Sequence, residues 1–172
     1  FSMWCKVHKH KVSHMYKDGV GGWTRVTKRQ ARAAQVAPKV IDTEVTYDSI
    51  RLTKEYETDR NCCSVISMAT ALQIPFEEAQ THLRIAGRKT NRGSSLNMIE
   101  MAYKHANHSL SEDYEYKGRY LTISQVCREF NEGTFVLLVN GHILTIIDGQ
   151  PQDWTKANSR HRVRSLFTVI AR

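Results

Sequence analysis

The sequence predicts an α+β fold in which helices come first and an antiparallel sheet follows. Between residues 62 and 130, apolar residues recur at helical spacing and are bounded by helix start and stop signals. Between 134 and 170 they form short β-branched runs joined by turn dipeptides. Runs of helices followed by runs of strands point to α+β rather than to alternating βαβ units. The chain has 172 residues, enough for one domain with its own core plus an arm.

Residues 1–44 read as a basic N-terminal extension and 45–172 as a separate folded domain. Residues 1–40 hold nine Lys/Arg against Asp18 alone, and 156–172 add five Lys/Arg with no acid. The intervening 41–155 hold sixteen acidic against eleven basic residues, so two basic ends flank an acidic body. The arm is expected to meet an acidic partner, nucleic acid or protein, or to neutralise the body itself. Cys5, His8, His10 and His14 are metal-ligand types, but their spacing matches no standard zinc pattern and lysines interrupt it. A basic surface arm is the reading, with no metal and no cofactor expected. Thr27–Val36 is a short helix candidate that Pro38 ends.

Val40–Leu52 alternates loosely and is rich in Val, Ile, Thr and Tyr, which predicts one or two extended segments. A helix then runs from about 62 to 73, with Asn61 as its N-cap. Ser67, Ala69 and Ala71 suit it to close packing at the centre of the molecule. Pro75 opens the next helix, acids fill its first turn, and Gly87 stops it. The basic stretch Arg88–Gly93 reads as a solvated turn. Ser94 or Ser95 caps a third helix that ends with His105 and His108, and Thr122 or Ser124 starts a fourth. Strands follow at 134–139 and 142–147, joined by Asn140-Gly141, the strongest short hairpin signal. A second turn lies at Asp148-Gly149, and Val163–Ile170 is a last strand.

Four cysteines show no disulfide spacing, and neither an export signal nor an apolar run of about 18 residues is visible, so reduced thiols and no membrane span are expected. Cys127 reads as a small buried hydrophobe. Cys62 and Cys63 differ. They open a helix, where the dipole favours the thiolate, the reactive form of sulfur. A thiol nucleophile needs a base and a group to orient it. His142, at a strand start, is the base. With a two-residue turn at Asp148-Gly149, Leu144 faces Asp153, which puts Asp153 on the face of His142, one diagonal step away. Asp153 is the orienter and Asn158 the reserve. Cys62 and Cys63 both remain candidates for the nucleophile. Backbone N–H groups at the helix start, with Asn61 beside them, are candidates to stabilise an oxyanion.

The order of Cys helix, His strand and Asp resembles the papain-like cysteine peptidase fold. The chain is most similar to small phage and bacterial peptidase domains related to the bacteriocin-processing peptidases. The likeness rests on Asn61-Cys62-Cys63, Phe76-Glu77-Glu78-Ala79, Gly87-Arg88, Gly133-Thr134, Gly141-His142, Asp148-Gly149 and Asp153, and covers roughly 56–155. It implies cleavage of a peptide or isopeptide bond by Cys63, His142 and Asp153, with Cys62 where the family carries a polar residue. It also implies a protein or peptide substrate, and residence in the cytoplasm of a bacterial host or with a virion. The family often carries an oxyanion-donating Gln six residues before the Cys, and here that position is Glu57. That departure and the basic arm motivate an alternative: the same fold used as a virion, structural or nucleic-acid-associated binding module.

Overall fold

A computed structural model describes residues 14–17, 23–26, 44–114 and 116–172. The chain divides into two compact units, Phe1–Ala34 and Gln35–Arg172. In the first, β1 (His14–Lys17) and β2 (Trp23–Val26) pair antiparallel as a hairpin. The expected Thr27–Val36 helix and most of the basic extension lie outside the described residues, as does Cys5.

The second unit holds helices and then a sheet. The helices are α1 (Tyr47–Ile50), α2 (Lys54–Thr58), α3 (Cys63–Leu72), α4 (Phe76–Ile85), α5 (Leu96–His105) and α6 (Ile123–Glu129). The strands are β3 (His108–Glu112), β4 (Thr134–Val139), β5 (His142–Ile147), β6 (Gln150–Pro151) and β7 (Val163–Ala171), in the order β3-β7-β4-β5-β6 and all antiparallel. The coarse α+β class stands.

The near-continuous apolar runs of β4 and β5 have a physical cause: both faces of the sheet are covered. Val136, Ile143, Phe167 and Val169 pack with α3, α4 and α5. Phe135, Leu137, Leu144, Ile146 and Leu166 pack with α6 residues Ile123, Val126 and Cys127, and with Tyr116 and Phe130. The β4–β7 register shifts between Leu138 and Val139, where Arg164 is the extra residue. That bulge changes the parity of β7, so Val163 faces the same side as Leu166.

Two expected segments are corrected. Residues 47–50 are helical, not extended, because Thr46 and Ser49 form a capping box that outweighs β propensity. His108 does not end a helix; it opens β3, an edge strand that pairs with β7. The Asn140-Gly141 hairpin forms, with Val139 opposite His142, and positive φ falls on Gly141 alone of the two (70°).

Helix α3 is the centre of the unit, and every residue from Ser64 to Leu72 is buried. Its hydroxyls therefore need partners. Ser64 Oγ meets Ser94 Oγ at 2.8 Å, and Thr70 Oγ1 donates to Ile66 O at 2.8 Å. Thr145 Oγ1 donates to Ser67 O at 2.7 Å and contacts Ser67 Oγ at 2.9 Å, a buried two-bond bridge from β5 to α3. It links the helix that begins at Cys63 to the strand that begins at His142. Thr145→Val keeps the shape but strips both bonds, so a loss of about 1–3 kcal/mol in urea unfolding is expected. A variant as stable as the parent would show that the bridge contributes nothing.

Candidate active site

The turn before α3 is fixed by a buried ion pair. Arg88 Nη1 and Nη2 reach Asp59 Oδ2 and Oδ1 at 2.7 and 2.8 Å, and both side chains are fully excluded from solvent. Gln80 Nε2 and the Asn91 backbone N–H also donate to Asp59, at 3.1 and 2.9 Å. Burial alone would raise the Asp59 pKa, but the Arg88, Asn91 and Gln80 hydrogen bonds outweigh it and hold the carboxyl below its ordinary value. Arg88 Nη2 donates further to Asn61 O at 2.8 Å. Thus Arg88, at the head of the stretch expected as a solvated turn, is buried on Asp59, while 89–93 are exposed as expected.

Asn61 is not the cap of the helix. Cys62 occupies the N-cap with no side-chain cap bond, while Asn61 is exposed and donates its amide to Asn91 O at 2.8 Å. The pull of the 88–93 segment on Asn61 accounts for the one-residue shift.

The two adjacent cysteines fall in opposite surroundings. Cys62 is buried, and burial and then the Asp59 charge push its thiol up to about 11. Cys63 is half-buried at the first position of α3. Burial opposes its ionisation, yet the hydrogen bond and charge of His142 and the N–H groups of Ile143 and Ser64 win, and its pKa falls below its ordinary value. Helix position is shared by both sulfurs, so it does not separate them; the partner does.

His142 Nε2 lies 2.5 Å from Asp153 Oδ2, which leaves Nδ1 as the ring nitrogen for Cys63. Burial disfavours the imidazolium, but the Asp153 hydrogen bond, then that of Cys63, overcome it and raise His142 to about 9. A lowered thiol beside a raised imidazole favours passage of the thiol proton to the ring, toward a thiolate–imidazolium pair.

Asp153 is itself held. It is 8% exposed, takes the Trp154 backbone N–H at 2.7 Å on Oδ1 and the Thr155 hydroxyl at 2.9 Å on Oδ2. The two-residue turn forms, with Ile147 opposite Gln150, but the ladder stops at Pro151. Asp153 therefore meets His142 from a loop rather than as a diagonal strand neighbour. Asn158 is exposed in a turn beyond it.

Neighbours that the sequence did not single out complete the site. Trp154 stacks on His142 at 4.7 Å between ring centres with a 40° tilt, and Tyr47 meets Trp154 edge-on at 6.5 Å. The Tyr47 N–H donates to Gln152 Oε1 at 3.1 Å, fastening α1 beside the loop. An open groove of about 500 Å³ runs along Tyr47, Arg51, Gln152, Asp153 and Trp154. Glu57 is exposed on α2. As the first helical residue, Cys63 has a backbone N–H with no acceptor inside its own helix, a donor suited to an oxyanion.

Among the described residues no group of three or more His, Cys, Asp or Glu side chains is arranged to hold a metal ion, and no helix is long and apolar enough to cross a membrane. Comparisons with protein-family models, curated proteins and solved structures find no match.

Proposed function

We propose that the chain is a cysteine-dependent hydrolase of papain-like type that cleaves a peptide or isopeptide bond. The observation that carries this reading is the convergence of Cys63, His142 and Asp153 from a helix start, a strand start and a loop, with the imidazole bonded on both sides. The Cys63 thiolate attacks the carbonyl carbon while the oxyanion forms beside the first N–H groups of α3. Protonated His142 gives its Nδ1 proton to the leaving amine, and a thioester remains. A water then loses a proton to His142 and attacks the thioester, releasing the acid and restoring the thiolate–imidazolium pair. Asp153 keeps the ring oriented and stabilises its charge, as the third member of such triads does.

Iodoacetamide at pH 7 tests the premise. An ordinary thiol with pKa near 8.5 is only about 3% ionised there, so Cys63 should be alkylated roughly tenfold or more faster than a small model thiol. Cys62 and Cys127, both buried and with raised pKa, should stay unlabelled in the folded protein. Labelling of Cys63 no faster than the model thiol would exclude the hydrolase and favour the same fold acting as a binding module.

A further inference from the structure

The segment 88–94 is strapped to residues 59–64, the stretch that contains Cys63. Asn91 is its plug. Held at a left-handed φ of 59°, it takes the Arg60 N–H on Oδ1 at 2.8 Å and the Asn61 amide on its carbonyl at 2.8 Å. The Arg92 N–H closes the turn on Lys89 O at 3.1 Å, and Ser94 meets Ser64 one residue beyond the thiol. Three cations are fixed on this frame: Arg60, Lys89 and Arg92 are all exposed, and none makes an ion pair with a described residue. Arg60 lies three residues before Cys63, so their Cα atoms are within about 11 Å.

The two segments that carry these cations, 60–64 and 88–94, contain no acid. No acidic residue lies between Asp59 and Glu77, or between Glu78 and Glu100, and Asp59 is consumed by Arg88. The body as a whole has an acidic excess over 41–155, so the basic patch formed by these segments is local rather than general. The first turn of α3 adds to it in sign.

We propose that the substrate of this site is an acidic polypeptide, its carboxylates recognised by Arg60, Lys89 and Arg92 beside the bond that Cys63 attacks. This rests on the hydrolase reading above. A single-stranded nucleic acid fits less well, since it needs aromatic platforms among the cations and neither strap segment carries an aromatic residue.

The test compares two alkylating agents of similar size, anionic iodoacetate and neutral iodoacetamide, at Cys63. Their rate ratio reads the local field and is measurable at any absolute reactivity, at pH 9 even on an ordinary thiol. The iodoacetamide rate at pH 7 tests the thiolate separately, so the two readings fail independently. In Arg60→Gln/Lys89→Gln/Arg92→Gln the iodoacetate-to-iodoacetamide ratio should fall by roughly threefold or more, and about 0.5 M NaCl should remove most of that difference. Hexaglutamate should slow alkylation of Cys63 in the parent and less so in the variant, with hexalysine inert. A ratio unchanged in the variant, or protection by oligodeoxythymidylate without protection by hexaglutamate, would overturn the proposal.

Discussion

Cys63→Ala should abolish hydrolysis of a fluorogenic peptide pool, and His142→Ala should lower it by about a thousandfold or more, the scale on which triad members fail when removed. Neither loss should come from unfolding. Cys63 is half-buried and His142 stands at a strand end, so both variants should melt near the parent. Cys62→Ser should retain turnover, because the buried Cys62 thiol lies against Asp59 rather than the imidazole. Asp153→Asn is the graded case. The ring loses its negative partner, so the His142 pKa, about 9 in the parent, should drop toward the ordinary 6.5 in a proton NMR titration. The sign of the pH profile follows. Turnover in the parent needs the thiolate and the imidazolium together, so it spans a window from the lowered Cys63 pKa to about 9 and declines above it. In Asp153→Asn the alkaline limb should move down by a unit or more. If Cys62→Ser, and not Cys63→Ala, kills turnover, the nucleophile is misassigned; an unmoved alkaline limb in Asp153→Asn would remove Asp153 from the site.

The largest effect on stability is expected at Arg88. Arg88→Ala leaves the Asp59 carboxylate buried with its main partner gone, and breaking a buried pair on one side costs about 3–5 kcal/mol. Changing both members, Asp59→Leu with Arg88→Met, should cost less, because no charge is left stranded. The pH dependence distinguishes an ion pair from mere packing. In the parent the folded Asp59 pKa lies below its unfolded value near 3.9, so its contribution is present above about pH 4 and is lost as pH falls through the folded value. In Arg88→Ala burial dominates and the folded pKa rises above the unfolded one. The deficit should therefore be largest at pH 7 and shrink toward pH 4. Chemical denaturation at the two pH values checks this. Equal deficits would mean that Arg88 contributes packing alone. Alkylation of Cys63 should also slow in Arg88→Ala, since Arg88 holds Asn61 O in the turn that delivers the thiol.

Much of this molecule is local and therefore legible in the sequence. The spacing of apolar residues set the type of α3 to α6, since burying one stripe of a helix is a short-range demand on residue order. Thr122, Ser95 and the two turn dipeptides set starts and bends, because capping and turn chemistry act within four residues. His142 and Asp153 were readable for the same reason. They are eleven residues apart across one turn, close enough to meet even though the ladder ends at Pro151 and Asp153 arrives from a loop. The short helix at 47–50 was misread because two hydroxyls outbid the β propensity around them. Which of two adjacent cysteines has the lowered pKa was not written locally. Cys62 and Cys63 share a helix end and its dipole, and what parts them is burial near the Asp59 charge on one side and the hydrogen bond to His142, 79 positions on, on the other. The same holds for the anchor of the nucleophile turn. Asp59 and Arg88 are 29 residues apart, and nothing in a linear pattern says that a basic turn closes on an acid beside the thiol. Only the packing of α3 between α4, α5 and the sheet brings those charges out of water together. Ion pairing at that depth depends on the dielectric that the fold creates, not on the order of the residues.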